Sequence, residues 1–183
     1  MEGSVFVCAP RSRIRGFSLL DLAATLAVLG VVLGIGLPSF SRILAEHRIH
    51  DIQHRLTVSL ALGRIAAIRD AAPVTVCPSS NGQTCRSDGV WDHGWLVYRD
   101  RGRTDHPTLQ TVVHYDSTPN NGFRVRSSRY RSRVRFGALG WSGGHNLTLA
   151  VCGPDGHLRG QVIVNNAGRP RSERAPPGTP CPD

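Results

Sequence analysis

The residues of this chain best suited to chemistry are its arginines. Arg124, Arg126, Arg129, Arg131, Arg133 and Arg135 place six guanidinium groups within twelve residues. From 129 to 135 every second residue is arginine, so an extended strand would carry four on one face. Like charges on one exposed face repel, and a bound polyanion relieves that repulsion while releasing its own counterions. An edge strand guarded against aggregation by charge has the same pattern. Tyr130 and Phe136 interleave with these arginines and are expected to point the other way, into the core. A second cluster is Gly168-Arg169-Pro170-Arg171, after the turn-forming Asn165-Asn166-Ala167 and with Arg174 close behind. Proline fixes the backbone between the two arginines. Two guanidiniums on a stiff loop suit a bidentate grip on successive phosphates. Arg99, Arg101 and Arg103 are interrupted by Asp100 and Asp105 and read as a secondary contact.

Other chemistry is poorly supported. Gly140-Trp141-Ser142-Gly143-Gly144 satisfies the G-x-S-x-G pattern, but a nucleophile elbow needs a strand before the serine and a helix after it. Strand-like Leu147–Cys152 follows instead, and a glycine-rich turn accounts for the match. No paired carboxylates sit in apolar surroundings, and there is no phosphate-cradling Gly-Lys-Ser/Thr motif. The chain is not expected to be an enzyme. His50 and His54 have the i,i+4 spacing of metal ligands without an evident third, and read as a solvated helix face. No metal and no cofactor are expected.

Composition agrees with a binding role. All 22 basic residues are arginine, against 13 acidic ones, for a formal charge of +9. With 183 residues, 40% hydrophobic and 19% charged, the chain suits one modest folded domain. That excludes a disordered tail and a multi-domain enzyme. The excess charge favours an anionic partner: nucleic acid, lipid head groups or an acidic polymer.

The elements that must position these residues begin at the N-terminus. A leader containing Arg11, Arg13 and Arg15 ends at Gly16, and an apolar run follows from Phe17 to Leu37. Its length suits a membrane crossing, with the arginines marking the cytoplasmic side. Asp21 is out of place there, because a lone carboxylate in hydrocarbon is costly without a partner. Beyond it, Phe40, Ile43, Leu44, Ile49, Ile52, Leu56 and Leu60 mark one stripe of a helical pattern that continues to about Asp70. Strand-like runs then fall near 74–77, 94–99, 109–115, 122–126, 132–136, 147–152 and 160–164, separated by turn residues. The expected class is α+β, a long N-terminal helix packed on an antiparallel β head.

A basic leader, Gly16, Phe17, a carboxylate four residues later and an unbroken apolar helix together resemble the class III signal of type IV pilins and type II secretion pseudopilins. The resemblance implies that prepilin peptidase cuts after Gly16 and that Phe17 becomes an N-methylated terminus. It also implies that Asp21 pairs with a neighbouring subunit's terminal amine during assembly. Pilins usually have glutamate at that position, so this side chain is one methylene shorter. The implied divisions are a cleaved leader (1–16), a membrane and assembly segment (17–38), an amphipathic half-helix (39–72) and a β-rich head with its tail (73–183). Loss of the leader also removes Cys8 and leaves Cys77, Cys85, Cys152 and Cys181. An even count in an exported domain suits two disulfides. Of three possible connectivities, Cys77 with Cys85 and Cys152 with Cys181 is preferred, since the first closes a short loop and the second pins the tail.

The head is similar to the FimT/GspH family of minor pilins and pseudopilins. Cys77, Pro78, Ser79, Gly82 and Cys85 match its cysteine loop, and Trp91, Gly94, Trp95 and Asp100 match the strand that follows. In the FimT branch a terminal G-R-x-R motif binds DNA during natural transformation, and Gly168, Arg169 and Arg171 match it. The expectation is therefore a minor type IV pilin that binds double-stranded DNA non-specifically through these arginines. It would be anchored in the inner membrane with its head in the periplasm, and would then join other pilins in a surface fibre. The alternatives are a GspH-like pseudopilin of a type II secretion system and a structural pilin that primes assembly without touching DNA.

Overall fold

The computed structural model describes residues 18–117, 122–128 and 130–182, except for the side chains at 36–39, 41 and 42. Gly16, Phe17 and Arg129 lie outside the described residues. The chain divides into two compact units, Met1–Ile43 and Leu44–Asp183.

Helix α1 runs Leu19–Arg69. Its start is a reciprocal cap: Leu20 N donates to Ser18 Oγ at 3.3 Å, and Ser18 N donates to Asp21 Oδ2 at 3.2 Å. Asp21 thus satisfies an orphan amide of the first turn, where a negative charge also suits the helix dipole. The large apolar side chains from Leu19 to Ile35 are exposed. Among the described residues no helix is long and apolar enough to cross a membrane, and the side chains at 36–39 fall outside that statement.

Within the second unit the helical stripe proves shorter than expected. Ile49, Ile52, Leu56 and Leu60 are buried in the core, whereas Leu44 is exposed, as are Phe40 and Ile43 in the first unit. Gly63 continues the stripe, because a side chain there would press on Val76 and Phe136. The helix ends where Ala71 takes φ +45° and Ala72 N donates back to Ala67 O, just ahead of Pro73.

Eight strands follow, in two four-stranded antiparallel sheets. They are β1 Val74–Pro78, β2 Trp95–Arg99, β3 Val112–Asp116, β4 Arg124–Ser127, β5 Val134–Phe136, β6 Leu147–Cys152, β7 Leu158–Val164 and β8 Pro170–Arg174. The first sheet has the order β3-β2-β1-β5 and the second β4-β6-β7-β8. One core joins α1 to both sheets through Leu56, Leu60, Val76, Trp95, Phe136 and Val162. Strand β8 was not expected. Its proline and its charges read as loop, yet both are tolerated on an edge strand, where the outer amides have no partner to lose.

The motif residues of the head are structural. Gly94 has φ +125°, and a methyl on it would overlap the Asp116 carbonyl oxygen. Disulfides join Cys77 to Cys85 and Cys152 to Cys181. Among the described residues no group of three or more metal-ligating side chains forms.

Candidate nucleic-acid interface

Not every arginine of the head is available to an anion. Asp100 and Asp105 bracket a loop that folds back on β1 and β5. Asp100 is 3% exposed and accepts from Thr75 Oγ1 at 3.0 Å, Thr104 N at 2.9 Å and Arg135 Nη2 at 3.0 Å. Arg135 also reaches Asp105, which in turn binds Arg133 at 3.1 Å. The expected row of four free arginines therefore does not exist in that form. Strand β5 begins only at Val134, and Arg133 and Arg135 are held by carboxylates; Arg135 serves as the counter-ion of a buried aspartate. Arg126 is likewise held by Asp92 and Arg99 by Asp70, at 2.6 Å for the latter. Arg131 is exposed and donates to the Gly144 carbonyl, with no carboxylate partner among the described residues. Phe136 is buried as expected, but Tyr130 is 93% exposed: its residue lies in a turn before β5, outside any alternating strand.

The loop Arg101–Arg103 is presented by the same carboxylate clamp. Arg103 N donates to Asp100 O, and Arg103 and Asp105 both adopt positive φ, at +52° and +61°. This geometry leaves both arginines exposed. His145 sits nearby, and burial, followed by the charges of Arg135 and Arg131, pushes its pKa down. Arg103 acts in the same direction, and Asp105 opposes it.

The terminal motif is built differently from a stiff loop. Strands β7 and β8 form a hairpin that pairs Val164 with Pro170 and Ile163 with Arg171. At its turn Gly168 N donates to Asn165 O at 2.8 Å, and Arg169 N donates to Asn165 Oδ1 at 3.1 Å. Asn165 thus caps the turn that presents Arg169, a role that Asn-x-x-Gly turn chemistry signals in the sequence. Arg169 is exposed, and no described carboxylate pairs with it. Arg171 lies within β8 and bonds Glu173 Oε1 at 2.7 Å; both side chains are mostly in water, so the pair is weak and open to competition. Arg174 does not extend this face. Side chains alternate along β8, and Ser172 meets Thr57 at 2.8 Å while Arg174 meets His50 at 3.1 Å, both on α1. Gln53, 5% exposed, donates to the carbonyls of Gln161 and Glu173 and so fastens the hairpin to the helix.

The Gly140–Gly144 segment is part of this site. Gly168 has φ +72°, and a methyl there would overlap the Gly140 carbonyl oxygen. Ser142 is fully buried; its amide donates to Asn166 O at 3.1 Å and its hydroxyl to Asn165 O at 2.6 Å. The serine of the G-x-S-x-G match therefore docks one loop on another. That leaves a continuous path: Arg131 bonded to Gly144, the loop 137–145, and the turn carrying Arg169.

The model of the family "Type II transport protein GspH" matches residues 53–168. No curated protein sequence matches the chain. Two crystal forms of the type IV minor pilin FimU from Pseudomonas aeruginosa strain PAO1 share its fold. One is 14% identical with a TM-score of 0.52, over 73% of this chain and 96% of that one. The other is 15% identical with a TM-score of 0.51, over 78% and 95%.

Proposed function

The chain belongs to the GspH family, and from that premise we propose that it is a minor type IV pilin that binds extracellular double-stranded DNA for uptake in natural transformation. The observation that carries the reading is the pair of exposed arginines Arg131 and Arg169, joined by the loop 137–145. Both are cations without a carboxylate partner among the described residues, on a head with 19 arginines against 11 acidic residues from Ser39 to Asp183. Phosphate contacts of this kind carry no base information, so binding is non-specific, micromolar or weaker, and steeply salt-dependent. Cleavage after Gly16, methylation of Phe17, an inner-membrane anchor over 17–38 and pairing of Asp21 with a neighbouring pilin belong to the same reading.

The test is a gel shift of the full chain in a nonionic detergent, at about 50 and 200 mM salt. Arg169→Ala/Arg171→Ala is expected to weaken duplex binding at both concentrations. Binding equal to wild type would remove the terminal motif from the site. The family description favours a second reading, a pseudopilin of a type II secretion system with no nucleic-acid role. Deletion of the gene separates the two: a DNA receptor's loss abolishes transformation, whereas a pseudopilin's loss abolishes secretion.

A further inference from the structure

The chain has three tryptophans. Trp91 and Trp95 are fully buried, and Trp95 also lies under the Arg55 guanidinium at 5.7 Å. Trp141 is 64% exposed. An indole left in water forgoes the stabilisation that burial would bring, so its setting needs a reason. That setting is specific. Gly140 on one side abuts Gly168, and Ser142 on the other bonds to Asn165 and Asn166. Trp141 is thus held at the arginine-bearing turn by its own neighbours. At the other end of the same loop, Tyr130 is 93% exposed beside Arg131, whose guanidinium bonds Gly144.

Arg131 therefore has an exposed aromatic residue as its chain neighbour, and the turn bearing Arg169 has one in the loop docked against it. Cations that track a phosphate chain, with aromatic faces between them, suit a strand whose bases are free to stack. A duplex hides those faces and offers only phosphates and groove edges. We infer that this surface binds single-stranded DNA, with Trp141 stacking on an unpaired base while Arg131 and Arg169 hold the flanking phosphates. The inference rests on the DNA-binding reading above and extends it from duplex to unpaired strands and frayed ends. Ile68 lies against Gly140 and is half exposed, which would also suit a protein neighbour; that occupant is an outcome of the test.

The test uses the full chain in nonionic detergent, titrated separately with oligothymidylate of about 20 nucleotides and with a duplex of about the same length. Because Trp91 and Trp95 are buried, quenching of tryptophan emission reports on Trp141. Oligothymidylate is expected to quench it, and Trp141→Ala to weaken oligothymidylate binding about 5- to 100-fold, well beyond any loss of duplex affinity. Trp141→Phe, which keeps a stacking face, is expected to restore part of the loss. Oligothymidylate binding unchanged in Trp141→Ala overturns the inference, and duplex binding by the same variant shows that the broader reading survives it. A change in subunit association without a change in either DNA affinity also overturns it, and assigns Trp141 to a protein contact. If wild type binds neither oligonucleotide, the DNA-binding reading falls and the inference with it.

Discussion

The Cα of Gly168 lies so close to the Gly140 carbonyl oxygen that no side chain fits between them. This contact and the two hydrogen bonds from Ser142 lock the 137–145 loop to the turn that carries Arg169. The glycine of the terminal motif is thus required for assembly of the site, apart from any contact with an anion.

Gly168→Ala is expected to destabilise the fold by about 2–4 kcal/mol, from the left-handed backbone cost and from displacement of the neighbouring loop. Gly143→Ala is the control, since the space around Gly143 is open, and should stay within about 0.5 kcal/mol of wild type. Urea unfolding of both variants reads the difference. Equal midpoints would mean that the two loops are not docked.

Arg135 and Arg131 are four residues apart and should behave oppositely. Arg135→Ala strands a buried carboxylate, Asp100, and is expected to cost about 3–5 kcal/mol. Arg131→Ala removes an exposed cation and should leave stability nearly unchanged. It should instead weaken duplex binding and lower the slope of log affinity against log salt by about one. Melting curves paired with a salt titration distinguish a structural arginine from an interfacial one.

Asp70 joins the end of α1 to β2, and hydrogen bonds from Arg69 and then Arg99 hold its carboxyl well below the usual carboxylate range. A carboxyl depressed on folding is protonated first in the unfolded chain. The stabilisation is therefore complete above about pH 5 and is lost as pH falls through the folded value. The gap in melting temperature between wild type and Asp70→Asn should be full at neutral pH and narrow in acid. A gap that widens below about pH 4 would contradict the bridge.

His145 reports on the Arg131 cluster. Burial, and then the charges of Arg135 and Arg131, keep its pKa low in the free protein. A polyanion laid over Arg131 offsets that field and favours the imidazolium, so duplex DNA should raise the His145 pKa. An NMR titration of the ring protons with and without DNA measures the shift. An unchanged value would place Arg131 outside the interface.

The shape of the head was largely legible from residue spacing. Burial of Ile49, Ile52, Leu56 and Leu60 follows from their three- and four-residue steps, because helix geometry alone puts them on one face. Seven strands were visible as runs of β-forming residues between turns, since those signals are local. The eighth, Pro170–Arg174, was hidden because an edge strand has no apolar alternation to display.

What the sequence by itself determined is the content of the site: its charge, the arginine clusters, the glycines and the pairable cysteines. Tertiary structure decided which of those charges are free. Asp100 and Asp105 lie some thirty residues before Arg135, and only the folding of their loop onto β1 and β5 brings them together. Ion pairing across that separation leaves no periodic trace, so Arg131 and Arg135 look alike in the chain and differ completely in the fold. The same holds for Trp141 and Arg169. Separated by 28 positions, they come to one surface because Gly140 and Gly168 allow two backbones to touch.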